Sequence, residues 1–452
     1  MKNLILKLCA VCLALIISGC ANLGPKDKPL SHWTSDANQK VKERFAGNRS
    51  KELLVLMAFS GGGTRAASFS YGTLKELAAI KVTTENGEKS LLHEVDVISS
   101  VSGGSFTSAY YGLRGDQIFE DFEDRFLRKN VEGTLIGKVL NPFNWIPLMS
   151  SSYGKSDLAA GYYDKILFDN ATFSDFNKLG APVVVINSTD LGTGIRIPFT
   201  HHVFGILCAD FDQYPVSRAV TASSAVPVVF SPITLQNFAG SCGYEPPAWM
   251  KDAINDGQTS YRKLEAIGLE EYFDGKKRPW LHLVDGGISD NLGLRTYYNT
   301  VSLIGDPHLA FSELNHPDVR QVLVILVNSH TKPKADWAMK KKSPSIPQVI
   351  GSMSSAQISR YSIDTLYVVR KAFKNWAKEA STPERLVTMN FVDVSFDQVK
   401  DEAERQLLND IGTSFHLKDE EVDLLISAAG KVLRESPEFQ AFLQRNRDSV
   451  HE

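Results

Sequence analysis

The chain reads as an α/β protein, a three-layer α/β/α domain built on a mainly parallel central sheet. Three observations predict this. Residues 53–59, 183–186 and 322–327 are continuous apolar runs, as in strands buried on both faces, and Val95-Asp96-Val97-Ile98 is strand-like. Stretches with helical spacing separate them, which is the order of βαβ units. The composition supplies a core, since 43% of the 452 residues are hydrophobic and 22% charged. Disorder, collagen and coiled coil are thereby excluded for the chain as a whole. A formal net charge of −3 offers no field for nucleic acid, and no nucleic-acid partner is expected.

The first residues point to export. Lys2 and Lys7 give a positive start around an apolar run over residues 8–17. That run is too short to cross a bilayer, which takes about 20 residues, and matches the h-region of a cleaved signal over residues 1–19. Ile17-Ser18-Gly19-Cys20 resembles the bacterial lipobox. That resemblance implies lipidation at Cys20 and, with Ala21 rather than aspartate following, an outer-membrane location facing the periplasm. An acylated cysteine would partner the chain with a membrane through its lipid anchor. Residues 20–50, polar and carrying Pro25 and Pro29, read as the lipidated tether of a domain over 51–452. Of five cysteines, Cys9 and Cys12 leave with the signal and Cys20 is acylated. Cys208 and Cys242 remain, either as a disulfide or as two separate thiols. No CxxC or paired-histidine spacing accompanies them, so neither metal nor cofactor is expected.

Along the domain, chemistry concentrates where strands end. The strand over 53–59 runs into Ser60-Gly61-Gly62-Gly63-Thr64-Arg65, and residues 66–77 then have helical spacing. Three glycines before a helix allow backbone amides to approach an anion closely. Two readings fit: an oxyanion hole, or a dinucleotide loop of the form Gly61-x-Gly63-x-x-Ala66 with Glu85 further on. Export argues against the nucleotide. The strand over 95–98 ends in Ser99-Ser100-Val101-Ser102-Gly103-Gly104, the small-residue turn that a nucleophile elbow at Ser102 requires, with Ser100 where the first glycine usually stands. Trp280 to Val284 lead into Asp285-Gly286-Gly287, a carboxylate at a strand end with room beside it. An ordinary aspartate, with a pKa of about 3.9, is a poor base, so Asp285 can serve only if burial raises its pKa or if the serine proton moves late in the reaction. A triad would also need a histidine after Asp285. His330 is the best placed, ahead of His308, His316 and His416, whereas His282 should face away from Asp285.

These blocks, in this order, resemble the patatin-like phospholipase family, which carries a G-G-G-x-R loop, a G-x-S-x-G serine and an Asp-Gly-Gly acid. Ser188-Thr189-Asp190-Leu191-Gly192-Thr193-Gly194 also fits it, as does the stretch 218–232, with Ala225, Pro227, Phe230 and Pro232. The resemblance implies a patatin-like α/β/α fold with a C-terminal helical extension, and a serine lipid acyl hydrolase of phospholipase A or lysophospholipase type. Ser102 would be the nucleophile and Asp285 its only partner. Gly61, Gly62, Gly63 and Arg65 would form or border the oxyanion hole, and the substrate would be a phospholipid or other acyl ester. The chain departs from the pattern at Ser60, Ala66 and Ser100, which bear on turn geometry rather than on reacting atoms. The altered elbow motivates an alternative: a non-catalytic lipid-binding or envelope-assembly lipoprotein on the same fold.

Three further segments carry expectations. Residues 141–149, apolar and broken by prolines, read as a loop packed on the core, with a lid or membrane contact as the alternative. Lys332, Lys334 and Lys340 to Lys342 read as a solvated basic loop, with anionic headgroups as the alternative partner. Residues 238–278, mixed in Gly, Pro and charge, read as a surface excursion.

Overall fold

The apolar run at 53–59 becomes the middle of an eight-stranded sheet, and its seven side chains are all buried. The structure is a computed structural model and describes residues 27–34, 48–150, 152–176, 180–227, 229–258, 260–331 and 336–448. The export signal, Cys20, Lys332 and Lys334 lie outside the described residues. In chain order the elements used below are β1 (Leu53–Phe59), α1 (Gly63–Ala79), the hairpin β2 (Lys81–Thr84) and β3 (Gly87–Ser90), β4 (Val95–Val101), α2 (Gly103–Arg114), α3 (Val131–Leu140) and α4 (Lys155–Tyr163). They continue with β5 (Val183–Asp190), β6 (Arg196–Pro198), α5 (Val216–Ser223), β7 (Ile233–Gln236), β8 (Trp280–Asp285), β9 (Gln321–Asn328), α6 (Ile346–Glu379), β10 (Thr388–Ser395) and α7 (Asp419–Glu435).

The strand order is β10-β9-β1-β4-β5-β8-β7, with β6 added to β5. The five strands from β10 to β5 are parallel, and β6, β7 and β8 pair antiparallel. Side chains alternate across β1. Leu53, Val55, Met57 and Phe59 join the core under α1, α2 and α7, whereas Leu54, Leu56 and Ala58 join the core under α6. This two-sided burial is why the run shows no polar alternation. The helical pattern at 422–433 is α7, whose Val422, Leu425, Ala429, Val432 and Leu433 are buried in the same core as Leu74 and Leu77 of α1.

Two expectations change. Residues 141–149 are not packed in the core: Phe143 is 85% and Met149 82% exposed, with Trp145 and Ile146 about half exposed. The prolines and short turns leave no helix long enough to bury so many large side chains at once. Residues 238–278 are more than an excursion. They hold helices Ala248–Asn255 and Tyr261–Glu270, and they seat Tyr272 in the core with its hydroxyl on Asp190, 2.8 Å away.

Residues 27–34 dock on the domain. Leu30 N–H donates to the Cys208 carbonyl (2.7 Å), Trp33 N–H to the Cys242 carbonyl (2.8 Å), and the Trp33 ring meets Tyr244 edge-on at 5.0 Å. Cys208 and Cys242 are joined by a disulfide, so the docking platform is itself cross-linked. The bond closes a loop of 34 residues in sequence, for which chain entropy alone gives about 3–4 kcal/mol. The double variant Cys208→Ser/Cys242→Ser should therefore lose about 3 kcal/mol of unfolding free energy in denaturant titration, with the first proteolytic nicks falling between residues 205 and 245.

Candidate active site

The sheet puts a serine and a carboxylate at one height with a single strand between them. Val101, the last residue of β4, pairs with Asn187 of β5, and Ser188 on the other side of β5 pairs with Asp285 of β8. Because β8 is antiparallel to β5, its end returns to the level of Ser102. Gly286 then crosses so close over β5 that a Cβ there would lie 2.3 Å from the Asn187 carbonyl oxygen, which only glycine permits. Ser102 Oγ donates to Asp285 Oδ2 at 2.8 Å. The fold thus brings together the two residues that the family resemblance pairs.

Ser102 sits at φ 49°, ψ −121°, the strained turn between β4 and α2. Such a conformation costs about 1–3 kcal/mol and persists only where its surroundings hold it. Ser223, at the end of α5, does this. Its hydroxyl donates to the Asn187 carbonyl (2.6 Å) and accepts from the Ser102 N–H (2.8 Å), with Ser105 Oγ 3.1 Å away. Asn187 is fixed in turn: its amide donates to Ser99 Oγ and the Ser100 carbonyl, and its oxygen accepts from Arg196 at 2.6 Å. Ser100, standing where glycine is usual, is buried and accepts from Ser108 Oγ at 2.6 Å. Its side chain is accommodated. Ser223 and Asn187 have no role that spacing alone reveals, although both fall in or beside blocks that the sequence marks.

Asp285 is 8% exposed, and burial lifts its pKa from 3.8 to about 6. The Gly287 N–H on Oδ1 (2.8 Å) and the Ser102 hydroxyl work against that rise. Among the described residues no histidine bonds to Asp285. His330 lies instead by Arg65 and Asp397, with its pKa lowered by burial and by the Arg65 charge. His282 is exposed and faces Thr234, away from the site as its alternation predicts.

The glycine loop lies against the elbow. A Cβ on Gly103 would fall 2.0 Å from the Gly63 carbonyl oxygen, so the two turns touch through bare backbone. The three glycines are not equivalent. Gly61 N–H donates to the Asn291 carbonyl (3.1 Å), whereas the Gly62 and Gly63 amides have no hydrogen-bond acceptor among the described residues. The Arg65 guanidinium is engaged elsewhere, with Nε on the Ser329 carbonyl (2.9 Å) and an Nη on the Ile411 carbonyl (2.8 Å). It braces the loop rather than facing Ser102. Ser60 Oγ accepts from the Ser329 N–H (3.0 Å) and ties the loop to β9.

A cavity of about 360 Å³ opens at Ser102 and Gly63 and is walled largely by Leu135, Leu140, Leu158, Val229, Phe230 and Phe415. This falls within the range of small-molecule sites. Residues 413–415 close one side. The Ser414 carbonyl accepts from the Thr64 N–H (2.9 Å), and Glu132 holds Ser414 and Phe415 in place. Nothing in the sequence near 413–415 marks them for this role. Among the described residues no group of three or more His, Cys, Asp or Glu could hold a metal ion.

The fold is a three-layer α/β/α arrangement of patatin-like type, with a buried serine and carboxylate at strand ends beside glycine-rich helix starts. The family model for patatin-like phospholipase matches residues 57–297, more than half of the chain, and the chain belongs to that family. Membership supports lipid-acyl hydrolysis as its general activity. Solved structures similar to it include human GIVD cytosolic phospholipase A2, at 13% identity over 94% of this chain and 68% of that chain, TM-score 0.46. The same enzyme in complex with methyl gamma-linolenyl fluorophosphonate matches at 12% identity over 93% and 65%, TM-score 0.43. No curated protein matches the chain.

The raised pKa of Asp285 has a stability consequence. An unfolded aspartate ionises near 3.8 and the folded one near 6, so the folded state binds more protons between these values and loses stability as pH rises through that window. Above the window the buried charge costs about 3 kcal/mol. Asp285→Asn should accordingly melt at a higher temperature than wild type at pH 8, with the two converging below pH 4, as calorimetry across that range would show.

Proposed function

We propose that this protein is a serine lipid acyl hydrolase, of phospholipase A or lysophospholipase type, using a Ser102–Asp285 dyad. The observation that carries the reading is the 2.8 Å hydrogen bond from Ser102 Oγ to a buried carboxylate at the mouth of an apolar cavity. Ser102 Oγ attacks the acyl carbonyl carbon while its proton passes to Asp285 Oδ2. The carbonyl electron pair moves onto oxygen, where the Gly62 and Gly63 amides, at the positive start of α1, supply hydrogen bonds. Collapse of the tetrahedral intermediate breaks the ester bond, and Asp285 returns the proton to the departing alkoxide. Water, deprotonated by Asp285, then attacks the acyl carbon; the acyl–Oγ bond breaks, Asp285 returns the proton to Ser102 Oγ, and the fatty acid leaves. Burial supports Asp285 in the role of base, because a carboxylate with a pKa near 6 takes a proton far more readily than an exposed one.

We also infer that Cys20 is acylated and holds the domain at the bacterial envelope, on the periplasmic face of the outer membrane. The Cys208–Cys242 disulfide supports an oxidising compartment. Among the described residues no helix is long and apolar enough to cross a membrane.

Ser102→Ala should cut turnover of a fatty-acyl ester by at least about 10³-fold and abolish labelling by a fluorophosphonate. Asp285→Asn should fall nearly as far, and His330→Ala should leave the rate unchanged; a collapse in the last would replace the dyad with a triad. Because Asp285 must be unprotonated to act, kcat/KM should rise with pH through about 6 and then level off. Persistent failure of folded wild type to label at Ser102 would instead favour a lipid carrier. For the anchor, Cys20→Ser should lose incorporation of radiolabelled palmitate, and retained label would remove the lipoprotein assignment.

A further inference from the structure

Two apolar projections flank the sheet end that carries Ser102, one from each helical layer. The first is the last two turns of α3, from Gly133, with the turns after it. Leu140 lines the cavity and is 67% exposed, and the surface continues through Phe143, Trp145, Ile146 and Met149. These side chains are held outward by a built scaffold. Trp145 Nε1 donates to the Val139 carbonyl (3.0 Å), Asn144 to the Lys138 carbonyl (2.8 Å), and Phe143 N–H to Asn141 Oδ1 (3.1 Å).

The second projection is the start of α6. This helix begins after β9 leaves the sheet at the glycine loop, and it ends before β10, which starts level with Gln321 at the opposite end. Its 34 residues span about 50 Å, far more than the eight-residue strand it covers. The lower end is packed, with Phe373, Ala377 and Ala380 buried, and Arg295 bonds Thr365 midway. The overhang is therefore at the Ser102 end, where Met339, Ile346, Val349 and Met353 are exposed beside Lys340, Lys341 and Lys342.

Charge singles out both projections. Asp and Glu make up 52 of 452 residues, about one in nine, yet none occurs in residues 133–156 or 337–363. Those stretches instead carry Lys138 and Lys155, and Lys340 to Lys342 with Arg360. Apolar side chains with interspersed cations and no carboxylates match an anionic lipid surface: the former enter the acyl boundary, the latter meet headgroups. The apolar lining of the cavity is continuous with the first projection, so a lipid drawn from such a surface reaches Ser102 without crossing water.

We propose that these two projections are a bilayer-docking face that seats the cleft on anionic phospholipid. The inference deepens the hydrolase reading and rests on it for what happens to the lipid once bound. The probe is vesicles of phosphatidylethanolamine with one third phosphatidylglycerol, reconstituted with full-length protein and containing brominated acyl chains. The fluorescence lost on replacing Trp145 by Phe isolates that ring. It should be quenched by the bromines, equally so in Ser102→Ala protein, which separates docking from catalysis. Phe143→Ser/Met149→Ser should reduce turnover of vesicle lipid about tenfold or more while turnover of a soluble short-chain ester stays at the wild-type rate. Lys340→Gln/Lys341→Gln/Lys342→Gln should reduce vesicle turnover about tenfold with phosphatidylglycerol present and leave it unchanged on phosphatidylcholine alone. An unquenched Trp145, unchanged vesicle turnover in the Phe143/Met149 variant, or concentration-dependent dimerisation that shields Trp145 in place of bilayer contact would overturn the proposal. Loss of ester turnover in wild type with quenching intact would overturn the hydrolase reading alone.

Discussion

The 2.8 Å hydrogen bond between Ser102 and Asp285 is the constraint around which the sheet is arranged. The two residues come from strands that never pair, and β5 must lie between them at a set height. Everything nearby serves that alignment: the antiparallel return of β8, the side-chain-free crossing at Gly286, and the Ser223 hydroxyl that ties the elbow amide to the β5 backbone. The alignment has a cost in backbone strain at Ser102 and in a carboxylate removed from water. Both are offset by fixed hydrogen bonds rather than by solvent. A site organised this way holds its polar groups in place before any substrate arrives.

How much of this can be read in the sequence depends on how local its cause is. β1, β5 and β9 are legible because strands buried on both faces need unbroken apolar runs, and β4 is legible in spite of Asp96, which is buried against Arg49. The strand β10 is not, since Thr388–Ser395 mixes Asn390, Asp393 and apolar residues as an edge strand does. Nor is the direction of β8, which follows from which neighbour it pairs with. Ser102 and Asp285 stand out because each occupies a strand-to-turn junction with glycines alongside. Gly61 and Arg65 share the motif but, unlike the Gly62 and Gly63 amides, have acceptors among the described residues. One amide is taken by Asn291, and the guanidinium is taken by two carbonyls more than 260 residues away. Such partners are set by tertiary proximity, and no window of sequence contains them.

The segment at 141–149 shows the opposite failure. Its residues are apolar enough for a core, and packing is the ordinary fate of such a run. Position decides against it. The segment follows a helix that walls the cleft, its backbone amides bond to carbonyls within it or one turn back, and Asn144 and the Trp145 ring nitrogen bond carbonyls of that helix, leaving the side chains outside. Residues 27–34 differ from expectation in a similar way, since a polar stem that looks like a loose tether is fastened by its backbone to a cross-linked loop.

The near-contact of Gly63 and Gly103 has a mechanical consequence. With no side chains between them, the two turns have no hinge, and a shift of either one displaces the other. The chemical centre therefore behaves as one stiff block whose assembly is complete when folding ends. On the proposed reading, a throttle on turnover acts upstream, on how the lipid leaves its neighbours and threads into the cavity.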